Sequence, residues 1–413
     1  MIKNLGVKPM IDKRKVAKIQ KAGSVAVILA SSLAAVAVIR ALGKMKIPCI
    51  VIGHDFHHKS IYTTVALEAR TKEEVLNLLF NIPEILNMKP VLFTDADAYL
   101  EIIYSNWDQL EEGYYIALSK NNFKLVTKEH IGKIEGIDKV VTLPVTLQSI
   151  SDIEKQHYPV IIKPLSNSSR FSKVKKEPDK AYICKNVEEV KKTDEILQDL
   201  NMSYVIQQLI EGGASNNHSA LLYRNAKGKI EVGYVAKKLR IFPLKFGVSS
   251  AMISEKNSEI INKSKAIMDL IDFQGIGEFE YKYCEKTNDY ILIEVNGRFP
   301  LQTGMLQRNN PQFIYTVFRD LIENASAKEL SDKSVPNIYW IFLLNDLRAI
   351  RAEYKASTLS VNLKACLSAR IQGAIWSILD PLPAIYYGKY IASIFIAKLW
   401  RDDNIQPTIK KVL

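Results

Sequence analysis

A chain of 413 residues is long enough for two or three domains with sizeable cores, and 47% apolar with 24% charged residues is the composition of an ordinary globular protein. The net charge of +12 and a pI near 9.2 fit an anionic substrate, a nucleic acid or an anionic membrane surface. No nucleic-acid-reading motif and little aromatic interleaving accompany the lysines, which gather between Lys3 and Lys21 and around Lys173 to Lys176, so nucleic acid is set aside.

Ala22 to Ile39 carries no charge and follows a basic stretch, as a signal anchor does. Its internal pattern instead favours a βαβ opening. Val25 to Leu29 is β-branched like a buried strand, Ser31 and Ser32 are helix-start residues, Ser32 to Leu42 reads as a helix ending at Gly43, and Pro48 to Ile52 is a second strand. An N-terminally anchored membrane protein is the competing reading. A helix over Lys72 to Asn81, a strand over Pro90 to Thr94 and a helix over Ala96 to Trp107 continue the alternation. Alternating strands and helices imply a parallel sheet covered on both faces, expected here as a domain over residues 1–121. His54, Asp55, His57 and His58 read as a polar loop at a strand end, since no further ligand stands at a useful spacing. Cys49, Cys184, Cys284 and Cys366 are far apart and form no CxxC pair, which points to a reducing, cytoplasmic compartment.

The middle of the chain changes character. Lys128 to Lys133 looks helical, and PVIIK at Pro159 to Lys163 is a short buried strand ending in a lysine. A polar loop from Leu165 to Lys176 follows, then Tyr182 to Cys184, a helix over Val187 to Leu197 and a strand pattern at Tyr204 to Ile210. Leu221 to Tyr223 and Gly233 to Lys237 read as strands about a turn at Lys227 and Gly228. A helix over Ser258 to Ile271 leads into GIGEFEYKY, Gly275 to Tyr283, and a turn at Thr287 to Asp289 joins it to YILIEVNGRFP, Tyr290 to Pro300. Beyond about residue 327 the chain is lysine-studded and then apolar. Ile375 to Trp400 holds Trp376, Tyr386, Tyr387, Tyr390 and Phe395, interrupted by Asp380, Pro381, Pro383 and Lys389. It reads as a core-packing helix pair, or as an interfacial element with aromatic residues at headgroup depth and so a peripheral membrane contact.

Within YILIEVNGRFP the polar residues Glu294, Asn296 and Arg298 recur at every second position and share one strand face, while Ile291, Ile293 and Val295 are expected to bury the other. A carboxylate and an amide oxygen on one ridge suit Mg²⁺ shared with substrate phosphates; a wet polar face of an antiparallel strand is the alternative. Glu280 lies across the hairpin and would add a third oxygen ligand, and a divalent ion would supply the counter-charge that two close carboxylates need. Lys163, held by Pro164 at a strand end, could project toward a phosphate as a point charge. Lys238 and Arg240 stand at i and i+2, where Arg240 could clamp a carboxylate or an acyl phosphate, or be an ordinary exposed cation.

The order of these pieces, Lys128, YPVIIKP, VIQQLIEGG, KLRIFPLKFG, GEFEYK and IEVNGR, resembles the ATP-grasp superfamily. Within it the order is similar to the carbamoyl-phosphate-synthase-like carboxylate–amine ligases, a group that includes D-aspartate ligase-type enzymes. The resemblance covers roughly Val25 to Asp320 and implies an α/β pre-grasp domain followed by a two-lobed α+β ATP-grasp domain. The grasp domain is expected over 122–326, with lobes over 122–203 and 204–326, and a mainly helical extension over 327–413. It implies ATP with Mg²⁺ or Mn²⁺ as cofactors. Lys128 and Lys163 would contact the phosphates, Gln207, Gln208, Leu209 and Ile210 would form the adenine-facing hinge, Glu280, Glu294 and Asn296 would hold the metal, and Arg298 and Arg240 would stabilise the transferred phosphate or the substrate carboxylate. Small-molecule carboxylate and amine substrates, a homodimer and a place in cell-envelope or surface-glycan metabolism follow from the same resemblance. Three departures stand out: Gln208 replaces the common hinge Glu, the phosphate loop lacks its glycines, and Ala214 to Asn217 supplies no acid for ribose. They keep open a second reading, a nucleotide-binding protein without ligase activity that assembles at the membrane surface.

Overall fold

Two runs of five buried residues, Ala26–Ala30 (β1) and Cys49–Gly53 (β2), flank a helix, Leu33–Lys44 (α2), whose N-cap is Ser32. The computed structural model describes residues 11–120, 122, 131–147, 149–153, 157–165, 181–323, 334–355 and 370–399. A helix Lys13–Ala22 (α1), unforeseen in the basic stretch, precedes β1, and Ile19 is its buried anchor. Thr63–Glu68 (β3), Val91–Thr94 (β4) and Tyr115–Ile116 (β5) complete a sheet in the order β3-β2-β1-β4-β5, all pairs parallel. The expected parallel α/β unit is present, and among the described residues no helix is long and apolar enough to cross a membrane. At the end of β4 the buried Asp95 carboxylate accepts hydrogen bonds from Ser31 N, Ser32 N and Ala35 N at 2.9, 2.7 and 3.2 Å, so it fills the anion-attracting start of α2.

Helix Lys72–Leu86 (α3) begins as expected, on a capping box between Thr71 and Glu74, but runs five residues past Asn81 and through Pro83. Proline there removes the hydrogen bond to the Leu79 carbonyl. The Tyr114 hydroxyl donates to that carbonyl at 2.7 Å and replaces the lost bond. Asp97–Ser105 (α4) fills the helix expected over Ala96 to Trp107, and a further helix, Trp107–Gly113 (α5), follows it.

The second unit holds two sheets. Val160–Pro164 (β7) sits between Tyr182–Cys184 (β8) and Tyr204–Gln208 (β9), with Thr146–Leu147 (β6) outside β9. Val160, Ile162 and Ile206 from this sheet pack with Val190 and Leu197 of helix Val187–Asp199 (α6). The larger sheet runs β14-β13-β10-β11-β12-β15-β16. Its strands are Asn217–Arg224 (β10), Ile230–Phe242 (β11), Val248–Glu255 (β12), Gly275–Cys284 (β13), Asp289–Asn296 (β14), Ile338–Ile341 (β15) and Arg370–Gly373 (β16). Helix Ser258–Leu270 (α7) covers one face through Ile260, Ile267 and Met268, which meet Ala220, Val235, Phe279 and Val295. The other face of β13 and β14 is left for polar groups. A bulge between Glu280 and Tyr281 shifts the register, so that Leu292 rather than the expected Ile293 joins Val295 in the core.

The chain packs as two compact units, 1–117 with 314–326 and 375–413, and 118–313 with 327–374. This differs from three consecutive segments. β15 pairs with β12, so residues 338–341 belong to the large sheet, and helix Leu343–Lys355 (α9, following Phe313–Glu323, α8) packs against it. In the first unit, Asp380 is buried against Arg40, with Arg40 Nε donating to its Oδ2 at 2.8 Å, and this ties down the start of helix Leu382–Leu399 (α10).

Candidate active site

The acids and aromatics of GEFEYK alternate, so Phe279 and Tyr281 enter the core while Glu278 and Glu280 lie on the opposite face. Antiparallel pairing with β14 sets Glu278 opposite Asn296 and Glu280 opposite Glu294. Facing residues on adjacent strands hold their Cβ atoms about 5 Å apart, and facing carboxylates repel unless a cation is near. Lys238 of β11 supplies one, donating from Nζ to Glu280 Oε2 at 2.6 Å. Burial would lower the Lys238 ammonium, yet the charges of Glu280, Glu278 and Glu294 outweigh it and raise the pKa. Arg298, just beyond β14, brings Nη2 to 3.5 Å from Asn296 Oδ1.

Glu278 is the group that sequence reading passed over, although it stands two residues before Glu280 and alternation alone puts both on one face. Its side chain is buried and accepts from Ser219 Oγ at 2.7 Å, from Gln302 Nε2 at 2.5 Å and from Asn296 Nδ2 at 3.2 Å. With its amide nitrogen held by Glu278, Asn296 leaves Oδ1 for Arg298 and for a cation. Burial first, and then the Glu280 charge, push the Glu278 carboxyl well above the usual carboxylate range, while Arg298, Ser219 and Lys238 pull it back. Ser219 and Gln302 lie 83 residues apart, at a Gln302 Nε2 to Ser219 Oγ distance of 3.2 Å, a pairing that no local pattern announces.

Among the described residues, no three His, Cys, Asp or Glu side chains converge closely enough to make a ready cage for an ion. Two facing carboxylates with one amide oxygen are instead the partial donor set that Mg²⁺ takes when phosphates and water complete an octahedron. Glu278→Gln places an amide N–H₂ among three donors and frees Asn296 to turn. We expect this change to cost about 1–3 kcal/mol of stability, read as a lower melting temperature, together with a fall in kcat/KM for nucleotide turnover.

A second set lies on the smaller sheet. Lys163 Nζ donates to Gln207 Oε1 at 2.9 Å, and Gln207 Nε2 donates to Thr146 Oγ1 at 3.1 Å. The antiparallel register of β7 and β9 causes this, with Ile161 opposite Gln207 and Lys163 opposite Val205. Gln208 closes β9 by donating its N–H to Val145 O at 2.9 Å, and Leu209 N donates to Pro159 O at 3.0 Å; Ile210 follows, half-buried. The strand therefore ends two residues earlier than expected. Lys128 and the polar loop from Ser166 to Lys176 lie outside the described residues. Ala214 to Asn217 form a short turn whose Asn217 amide is spent on Gly213 O and Ala214 O, at 3.0 and 3.1 Å.

Arg240 takes a different place from the one its spacing implied. Irregular register on both sides of it separates its pairing from that of Lys238. Its buried guanidinium makes a two-pronged pair with Asp346 of α9, Nε to Oδ1 at 2.8 Å and Nη2 to Oδ2 at 2.7 Å, and also donates to the Tyr339 hydroxyl. Ser250 Oγ adds a bond to Asp346 at 3.0 Å. Of Lys238 and Arg240, it is Lys238 that stands beside the acidic ridge.

No family model matches the sequence, and no curated protein matches it either. Solved structures do match the fold. Biotin carboxylase from Campylobacter jejuni, in complex with an ATP analogue, has a TM-score of 0.59 at 13% identity over 77% of this chain and 75% of that one. The L-amino acid ligase of Bacillus licheniformis gives 0.58 at 13% identity over 76% and 78%. The biotin carboxylase domain dimer of Hydrogenobacter thermophilus 2-oxoglutarate carboxylase, solved with MgADP, ADP and bicarbonate, gives 0.56 at 14% identity over 76% and 72%. The chain, with its parallel α/β unit and its two-sheet unit, shares the fold of these structures.

Proposed function

We propose that the chain is an ATP- and Mg²⁺-dependent ligase that activates a small-molecule carboxylate for attack by an amine. The observation that carries this reading is the ridge on β13 and β14, where Glu280 faces Glu294 and Glu278 faces Asn296, with Lys238 and Arg298 beside them. Glu280, Glu294 and Asn296 are the residues that would hold the metal, which neutralises phosphate charge when bound. Lys163 and Gln207 would meet the nucleotide from the smaller sheet, and Gln208 to Ile210 its base.

In the proposed reaction a carboxylate oxygen bonds to the γ-phosphorus as the bond to the β-phosphate oxygen breaks, giving ADP and an acyl phosphate. The amine nitrogen then bonds to the acyl carbon, phosphate leaves and the nitrogen loses a proton, giving an amide. Phosphoryl transfer of this kind needs positioning and charge neutralisation above all. Arg298 would meet the transferred phosphoryl group or the substrate carboxylate, and Lys238 would offset the acids that otherwise repel it. The L-amino acid ligase and the two carboxylases that share the fold support an ATP-dependent ligation. Within that class we favour the D-aspartate ligase-like carboxylate–amine group, on the order of motifs from YPVIIKP to IEVNGR.

Calorimetry with Mg-ATP, followed by phosphate release across a panel of amino acids and other carboxylates paired with amines, tests the proposal. We expect nucleotide binding and release stimulated only when acid and amine are both present. Binding with no stimulated release across the panel would select the second reading, a nucleotide-binding protein without ligase activity.

A further inference from the structure

The apolar C-terminal stretch has no part in the acidic ridge. Between Ile375 and Leu399 the one acidic residue is Asp380, and it is wholly buried. Its Oδ2 accepts from Arg40 Nε and from Ser60 Oγ, both at 2.8 Å, and its Oδ1 accepts from Ile61 N at 3.0 Å. Arg40 Nη2 also donates to the carbonyls of Ile375 and Asp380, at 2.8 and 2.7 Å. Both ends of the loop from Ile375 to Asp380 are thus fastened from below.

What this fastening holds up is a cluster of bulky apolar side chains in water. Ile378 is 85% exposed, Leu379 66%, Trp376 58% and the neighbouring Ile61 55%. A polar loop would be the ordinary solution at such a site, and an exposed apolar group held on a rigid base marks a contact surface. The chemistry around it indicates the partner. The Tyr386 ring at the start of α10 lies under two ammonium groups, Lys59 Nζ at 5.5 Å and Lys389 Nζ at 5.1 Å from its centroid. With Asp380 buried, the outward face of residues 375–393 presents aliphatic and aromatic side chains with lysine, and no carboxylate. Trp and Tyr beside aliphatic tips, with cations at the same level, match the layered chemistry of a bilayer surface: hydrocarbon below, headgroup dipoles at ring depth and phosphate above.

We propose that this face of the first unit docks on an anionic lipid membrane, with Ile378 and Leu379 entering the acyl region, Trp376 and Tyr386 at headgroup depth, and Lys59 and Lys389 on lipid phosphates. Docking is peripheral, since no described helix can span.

Flotation of the full chain with vesicles of phosphatidylcholine alone, and of phosphatidylcholine mixed with phosphatidylglycerol, tests this. The unaltered chain should float with the anionic vesicles and far less with the neutral ones. The double change Ile378→Ser with Leu379→Ser should lower partitioning at least about tenfold, because both side chains lose their transfer into hydrocarbon. Lys59→Glu with Lys389→Glu should abolish the preference for anionic lipid. Ile378, Leu379 and Lys389 are exposed and Lys59 is half-buried, none of them in the acidic ridge, so the fold and Mg-ATP binding should stay as in the unaltered chain. Trp376 should add a blue shift with anionic vesicles that Trp376→Phe removes. No flotation with either vesicle, or undiminished flotation of the serine variant, would overturn the proposal. A dimer in sedimentation that the serine variant dissolves would also overturn it and assign the face to a second copy.

Discussion

We expect Glu294→Gln and Asn296→Ala each to lower Mg²⁺-dependent ATP turnover, by on the order of 10²-fold or more, while leaving the protein folded. The expectation rests on position. Glu294 faces Glu280 across the strand pair, and Asn296 is oriented by its bond to Glu278 at 3.2 Å, so in the proposed reaction both would meet the phosphate charge. An interaction made mainly in the transition state lowers kcat and kcat/KM together, whereas loss of simple nucleotide binding raises KM alone. Steady-state phosphate release with the substrates found by the screen makes that distinction. Near-normal turnover in both variants, with intact melting, would remove the ridge from the reaction.

The largest stability effect is expected at Arg240. Asp346→Ala strands a buried guanidinium without its two carboxylate bonds and should cost about 3–5 kcal/mol, seen as a lower denaturant midpoint. Arg240→Met joined to Asp346→Leu removes both charges at similar volume and should recover most of that loss, since replacing a whole buried pair by apolar groups is often neutral. The double variant also separates two roles. If Arg240 serves only to seat α9 on β11, turnover recovers along with stability. If it also meets a phosphate or substrate carboxylate, as its place in KLRIFPLKFG implied, stability recovers and turnover stays low. Burial alone would lower the Arg240 pKa, and Asp346 raises it well above the ordinary value, so the guanidinium stays charged across the working pH range.

Where periodicity was strong, the elements were legible. The opening βαβ, the helix from Val187 and the hairpin of β13 and β14 all lie where apolar spacing and capping residues put them, with ends shifted by a few residues. Misses fall where a distant group supplies what local sequence lacks. The helix expected to end at Asn81 continues through Pro83, because Tyr114 bonds the carbonyl that proline leaves open. β12 carries buried serines that break an apolar pattern; Ser254 Oγ donates to Val335 O at 2.8 Å, and Ser250 bonds Asp346. The C-terminal part reads as helical, but β15 finds unpaired backbone groups on β12 and extends the sheet.

The same division holds at the site. Alternation on a strand is a local rule, and it puts Glu294 with Asn296 on one face and Glu280 across the hairpin, because side chains on a regular strand alternate in direction; the bulge by Glu280 breaks it only at Leu292 and Ile293. Partnership is not local. Lys238 Nζ and Glu280 are 42 residues apart, Ser219 and Gln302 83, and Arg240 and Asp346 106. Which cation steadies the acids, which acid turns Asn296, and which arginine is withdrawn into a buried pair are set by the order of strands in the seven-stranded sheet and by the helices laid upon it. Residue spacing therefore named the chemistry that the ridge offers, and tertiary packing chose the residues that hold it in place, because charge pairing acts through distance in space rather than distance along the chain.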